Sequence, residues 1–263
     1  MKELLIVKVG GNVIDNEEAL KLFLKKFNAL KSPKILVHGG GKLATQLSGK
    51  LGIEAKMVDG KRITDVATLE IVVMVYSGIN KSIAAQLNAL GTSSIGLCGA
   101  DMNLIPAKKR ELGNIDYGFV GDVLVDKIPA EKWTMLLDKN ICPVVAPITS
   151  DASGQLLNTN ADTIAASIAQ ALSAHYSVKL IYCFEKDGVL QNPADDSSVI
   201  EHIEPTGYVN LKEKGIISKG MIPKLDNAWN ALNSGVDKVI IGNALHIESL
   251  TEPEHSTGTL LSL

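Results

Sequence analysis

Apolar residues in this chain fall into short unbroken runs that alternate with longer periodic stretches, the pattern of strands and helices taken in turn. Leu4 to Val9 is nearly continuous, as in a strand covered on both faces, and it carries Lys8 into Gly10-Gly11. Ala19, Leu20, Phe23, Leu24, Phe27 and Leu30 then share one helical face, with Asp15 and Glu18 spaced as an N-terminal cap. After Pro33 the unit repeats: a strand from Lys34 to His38, Gly39-Gly40-Gly41, and a helix from about Lys42 to Leu51. Right-handed crossovers between such units put both glycine turns on the carboxyl edge of one parallel sheet, where ligands bind.

Further on, a helical pattern runs from about Val66 to Leu90, densest in apolar residues around Ile71 to Tyr76, and fits deep core or a subunit interface. Strands are expected at Ser94 to Cys98, Ile141 to Ala146, Leu180 to Phe184, Lys238 to Gly242 and Gly258 to Leu263. Leu104 to Ala107 with Phe119 to Val125 reads as a smaller β excursion, and Pro147 to Gly154 and Glu185 to Ser198 as loops. Helices are expected at Pro129 to Lys139, before Leu172, and before Ser234.

Composition narrows the classes. With 263 residues, 46% hydrophobic and 21% charged, the chain can bury a sizeable core and carries no signature of disorder. A formal net charge of -3 argues against nucleic acid as the main partner, and Lys108-Lys109-Arg110 reads as a solvated cluster. Cys98, Cys142 and Cys183 lie far apart without a Cys-x-x-Cys pair, so core thiols are expected rather than disulfides or zinc. Met1-Lys2-Glu3 runs straight into the first strand and no apolar stretch approaches membrane-spanning length; a cytoplasmic protein with no membrane partner is the expectation.

Lys8 is expensive to bury, so either its ammonium reaches water or an anion waits beyond the strand. Two residues without Cβ directly after it favour the anion, because they expose backbone N–H groups to close approach. No P-loop motif is present. Gly39-x-Gly41-x-x-Ala44, with Asp59 downstream, fits a loose dinucleotide fingerprint and gives a rival reading, an NAD(P)-dependent oxidoreductase. That rival leaves Lys8-x-Gly10-Gly11 unexplained. Two glycine cradles, spaced cations and one carboxylate near a helix start suit phosphoryl transfer instead.

Five motifs occur in order: Lys8-x-Gly10-Gly11, His38-Gly39-Gly40-Gly41, Gly60-x-Arg62-x-Thr64, Asn158-x-Asn160-Ala161-Asp162 and Gly220-Met221-x-x-Lys224. Together they resemble the acetylglutamate kinase branch of the amino acid kinase family over nearly the whole chain. The resemblance implies a three-layer αβα sandwich around a mainly parallel sheet, in one α/β domain. An N-terminal lobe of about 1–174 would bind the acylated amino acid and a C-terminal lobe of about 175–263 would bind ATP. ATP with Mg²⁺ would phosphorylate the side-chain carboxylate of N-acetylglutamate, or of another N-acylglutamate such as N-succinylglutamate, toward arginine.

By the same resemblance Lys8 and Lys224 neutralise the transferring phosphoryl, Asp162 holds both ammonium groups, and Gly11 and Gly40 add N–H donors. Gly39, Gly40, Gly41, Arg62 and Asn158 would bind the acceptor; Lys8, Gly10, Gly11, Glu185, Gly188, Gly220, Met221 and Lys224 would bind the nucleotide. The bland alternatives are helix capping for Asp162, an exposed helix position for Lys224 and a surface ion pair for Arg62. Mg²⁺ is expected to be held largely by phosphates and waters, with no protein ligand named. His38 reads as structural. The chain departs from the family at Phe184-Glu185-Lys186-Asp187, where Ser/Thr-Asp-Val is usual, and at Lys219, where glycine or aspartate is common. Without the N-terminal helix of arginine-inhibited hexamers, an arginine-insensitive homodimer through the Val66 to Leu90 helix is expected.

Overall fold

A computed structural model describes residues 1–58, 61–217, 221–252 and 257–263. Asp59, Gly60, Lys219, Gly220 and His255 lie outside the described residues. The strands are β1 (Glu3–Val9), β2 (Lys34–His38), β3 (Met57–Val58), β4 (Lys61–Arg62), β5 (Ser94–Cys98), β6 (Ala107–Lys109), β7 (Gly121–Val123), β8 (Cys142–Ala146), β9 (Ile148–Ser150), β10 (Leu156–Asn158), β11 (Ser177–Phe184), β12 (His202–Ile203), β13 (Lys238–Asn243) and β14 (Thr259–Leu261). The α-helices are α1 (Gly11–Asp15), α2 (Glu17–Ala29), α3 (Gly41–Lys50), α4 (Val66–Ala89), α5 (Ala130–Asp138), α6 (Ala161–Leu172), α7 (Pro205–Glu213), α8 (Ile222–Asn233) and α9 (Ile247–Thr251).

Eight strands form one sheet in the order β12-β14-β13-β11-β1-β2-β8-β5. Every neighbouring pair is parallel except β13 with β14. Successive side chains on β1 face opposite sides of the sheet. Leu4 and Ile6 join the core under α5, α6 and α8, with Trp133, Ile164 and Leu225, while Leu5, Val7 and Val9 join the core under α2, α4 and α9, with Phe23, Ile83 and Ile247. The three-layer sandwich follows. The same alternation sends Lys8 to the α6 and α8 side.

Asn16, not Asp15, caps α2, accepting from Ala19 N at 3.0 Å. Asp15 instead ends α1, and burial raises its carboxyl above the usual range despite Lys42 at 3.7 Å. Asp65 caps α4 through Thr68 N. That helix is long and apolar enough to cross a membrane by length and composition, contrary to the sequence reading, yet it packs on α3, β5 and β8 and buries Asn80. The stretch expected as a loop after Pro147 forms the hairpin β9–β10, with Thr149 and Thr159 sharing a hydrogen bond of 2.8 Å. Polar side chains that satisfy one another across a hairpin hide the apolar alternation that marks a strand. The short helices α7 and α9 were not anticipated.

Candidate active site

The parallel order brings the carboxyl ends of β1, β2, β8 and β11 to one edge. Two turns are anchored there by continuation of the ladder: Gly10 N–H donates to Cys183 O and Gly39 N–H to Val9 O, each at 3.2 Å. Among the described residues the next amides, Gly11 and Gly40, have no backbone acceptor. Gly40 has φ +156° and ψ 7°, and a Cβ there would meet Ile79 Cδ1 at 2.7 Å. Glycine is therefore required at this position, both by backbone conformation and by space.

At the centre lies a three-residue ion cluster. Lys8 Nζ is 2.7 Å from Asp162 Oδ1, and Lys224 Nζ is 2.8 Å from Asp162 Oδ2. Lys8 and Asp162 are buried, whereas Lys224 keeps 25% of its side chain exposed. Asp162 is in the first turn of α6, but the cap is Asn160, whose Oδ1 accepts from the amides of Asp162 and Thr163. The carboxylate is thus free to serve the lysines. Burial alone would raise the Asp162 carboxyl; the two ammonium groups outweigh it and hold it at about 2. Burial pushes Lys224 below the usual lysine range, with Asp162 acting in the opposite sense.

Two cavities of about 520 and 580 Å³ open on either side of the cluster and share Lys8 and Gly11. The first lies between the Gly10-Gly11 turn and the segment after β11; it contains Glu185, Gly188, Met221 and Lys224, with Phe184 and Ile217 among its apolar walls. Gly188 also has a packing reason, since a Cβ would meet Thr259 Oγ1 at 2.6 Å and Val199 Cγ1 at 2.7 Å. The second contains Gly39, Gly40, Gly41, Arg62, Asn158 and Asp162. All sequence-nominated site residues line one of the two except Gly220, which lies outside the described residues.

Arg62 is buried rather than a surface ion pair. Its Nη2 donates to Gly41 O at 2.8 Å and Thr45 Oγ1 at 2.7 Å, while Nη1 is buried with no partner among the described residues. Asn158 Nδ2 donates to Thr64 Oγ1 at 3.0 Å. Lys108-Lys109-Arg110 is only partly the solvated cluster expected: Lys108 and Lys109 are exposed, but Arg110 reaches the second cavity and pairs with Asp122 across β6–β7. Tyr76, Asp226 and Asn227 also line this cavity and were missed, because no local spacing marks them.

His38 is fully buried and structural. Asn80 Nδ2 faces its Nε2 at 3.2 Å, so Nε2 accepts and Nδ1–H donates to Gly39 O at 2.7 Å. Burial holds this imidazole down at about 4. Cys142 and Cys183 are buried thiols pushed up to about 12 by burial, and Cys98 is half-buried.

Comparison with known proteins gives a consistent set of likenesses. The family model described as amino acid kinase family matches residues 3–243. An acetylglutamate kinase of Cytophaga hutchinsonii is 55% identical over 263 residues, 99% of each chain. One from Parabacteroides distasonis is 50% identical over 94% of this chain and 96% of its own. Among solved structures, smu.665 from Streptococcus mutans superposes with a TM-score of 0.80 at 27% identity, covering 100% of this chain and 99% of its own.

Proposed function

The chain belongs to the amino acid kinase family, and from that premise we propose that it is a kinase transferring the γ-phosphoryl of ATP to the side-chain carboxylate of N-acetylglutamate, in arginine biosynthesis. The observation that carries the reading is the Lys8–Asp162–Lys224 cluster standing where two cavities meet. The more apolar cavity takes the nucleotide, and the more polar of the two takes the acceptor. One carboxylate oxygen attacks the γ-phosphorus, the bond to the β-phosphate oxygen breaks, and an acyl phosphate and ADP leave.

The acceptor is already ionised, so no general base is needed; the obstacle is bringing an anion against an anionic phosphate. Lys8 and Lys224 supply fixed positive charge, Asp162 sets their spacing, and the Gly11 and Gly40 amides offer donors that need no rearrangement. Nη1 of Arg62, buried with no partner among the described residues, receives the α-carboxylate, and Asn158 the acyl amide. Among the described residues no three His, Cys, Asp or Glu side chains come together. Mg²⁺, expected with ATP, would be held largely by phosphates and waters and would supply neutralisation of phosphate charge. Residues of about 1–174 form the acceptor lobe and about 175–263 the nucleotide lobe.

N-succinylglutamate is a second acceptor favoured by one observation, Arg110 in the wall of the acceptor cavity, where a carboxylate on the acyl group could displace Asp122. Trapping acyl phosphate with hydroxylamine, in parallel on N-acetylglutamate, N-succinylglutamate and free glutamate, decides between them. Hydroxamate from none of the three would sink the kinase reading. Val66 and Met74 of α4 and Ile95 of the edge strand β5 are exposed apolar residues, and support a homodimer through this face. Light scattering at the mass of a single chain would exclude it.

A further inference from the structure

Phe184 ends β11 where the two ammonium groups converge. Its ring centroid is 5.5 Å from Lys8 Nζ and 4.7 Å from Lys224 Nζ. A methyl group placed on Gly10 would come 3.9 Å from its Cδ1, so the ring also packs against the first glycine turn. It lines the apolar cavity and is half-buried, held at its base by the ladder to β13. Two ammonium groups that share a single carboxylate repel each other, and each is drawn toward any further negative surface. The face of an aromatic ring is such a surface within about 6 Å of its centroid, and it acts most strongly where water is excluded.

We propose that Phe184 is a positioning residue of the transfer reaction: its π face, opposed by the Asp162 carboxylate, holds Lys8 and Lys224 in the spacing that receives the phosphoryl group. The proposal rests on the kinase reading. A phenyl ring has no donor, so its effect on an anion passes through the lysines. The ring also exchanges its partners at no cost in protons: when phosphate oxygens arrive, the ammonium groups turn toward them without a carboxylate having to leave.

Charge around Lys224 comes from every side. Asp162 on α6 attracts it, Lys8 on β1 repels it, and Glu185 and Lys186 line the same cavity beyond β11. Asp226, on its own helix, is engaged by the Tyr208 hydroxyl at 2.6 Å. Removing the ring takes away one stabiliser of the protonated amine, so Lys224 loses its proton at lower pH.

Phe184→Leu keeps apolar bulk and removes the π face; Phe184→Met does the same through a second side chain; Phe184→Tyr restores the ring. The leucine and methionine variants should lose roughly 10-fold in kcat, with KM for ATP and for the acceptor changed less than about 2-fold. The alkaline limb of the kcat–pH profile should move to lower pH, and tyrosine should recover both. NMR titration of ¹³Cε-labelled lysine reads the Lys224 shift without turnover. Wild-type kcat and an unmoved alkaline limb in both non-aromatic variants would overturn the proposal, as would a tyrosine variant as slow as leucine. Absence of acyl phosphate from the wild-type protein would instead defeat the kinase reading, while the lysine titration would still test the ring.

Discussion

The two cavities that meet at Lys8 are built from different materials. One is walled largely by carbon, from Val13, Phe184, Val189, Leu190, Ile216 and Ile217; the other mixes Tyr76, Val120 and Pro223 with guanidinium, amide and carboxylate groups and is the more polar of the two. Burial of apolar area is non-directional, so many side chains can supply it. Hydrogen-bond geometry is not so forgiving, and the second cavity, proposed for the acceptor, shows this in the locking of its side chains. Arg62 is fixed by Gly41 and Thr45, Asn158 by Thr64, and Gly40 by the absence of space for a Cβ. Away from Phe184, Gly188 and the lysines, the more apolar wall is expected to accept exchange of one apolar side chain for another, whereas the hydrogen-bonded groups of the other cavity are not.

The shared boundary carries the largest expected effect. Lys8→Ala or Lys224→Ala should lower kcat by roughly 10²–10³-fold, the scale of removing one transition-state donor, with smaller changes in either KM. Steady-state rates with each substrate varied in turn measure this. Near-normal turnover in both variants would mean that the cluster is structural, and the two cavities would lose their common function.

The same contrast explains what could be read from the sequence. Gly39 to Gly41 before α3 and Asn160 before α6 were legible because glycine turns and caps follow from backbone geometry, whereas Arg62 and Asn158, which lie in short strands, were named only through the resemblance. The sheet was legible because β1, β2, β8 and β11 are continuous apolar runs. The apolar part of the first cavity's wall was silent. Ile216, Ile217 and Leu190 look like any core residues, and only the fold assembles them. Arg110 was misjudged for a related reason: a charge run appears solvated until a hairpin turns one member inward.

Acid should separate the two sides next. His38 is buried neutral beneath the Gly39–Gly41 turn, and its imidazole is lowered from 6.5 to about 4. Its contribution to stability is complete above pH 6.5 and is lost as pH falls through about 4, because protonated Nε2 would face the Asn80 NH₂ donor. The shift corresponds to roughly 3 kcal/mol. Asp162, held at about 2 against a usual 3.8, stays ionised in the folded chain and contributes little to the loss down to pH 4.5, most of its own loss coming below pH 4. Thermal unfolding at pH 7 and pH 4.5 should show a large loss for the wild-type chain and a small one for His38→Gln. Equal losses in the two would place the acid-sensitive group elsewhere.

The smallest of these effects is also the sharpest test of the division. Arg62 presents one nitrogen to α3 and leaves Nη1 buried without a partner among the described residues, a cost that an arriving carboxylate would relieve. Arg62→Ala should raise KM for the acylglutamate by about 10-fold or more, in line with a charge-assisted hydrogen bond worth roughly 1.5–3 kcal/mol, while KM for ATP stays within about 2-fold. Arg62→Lys keeps the charge but has no planar fork, so it cannot hold α3 and a carboxylate together, and should recover only part of the loss. If both KM values rise in parallel, Arg62 supports the whole edge of the sheet and the cavities are not independent. If only the acceptor KM rises, the guanidinium belongs to the acceptor alone, and the apolar side binds its nucleotide regardless of what the polar side contains.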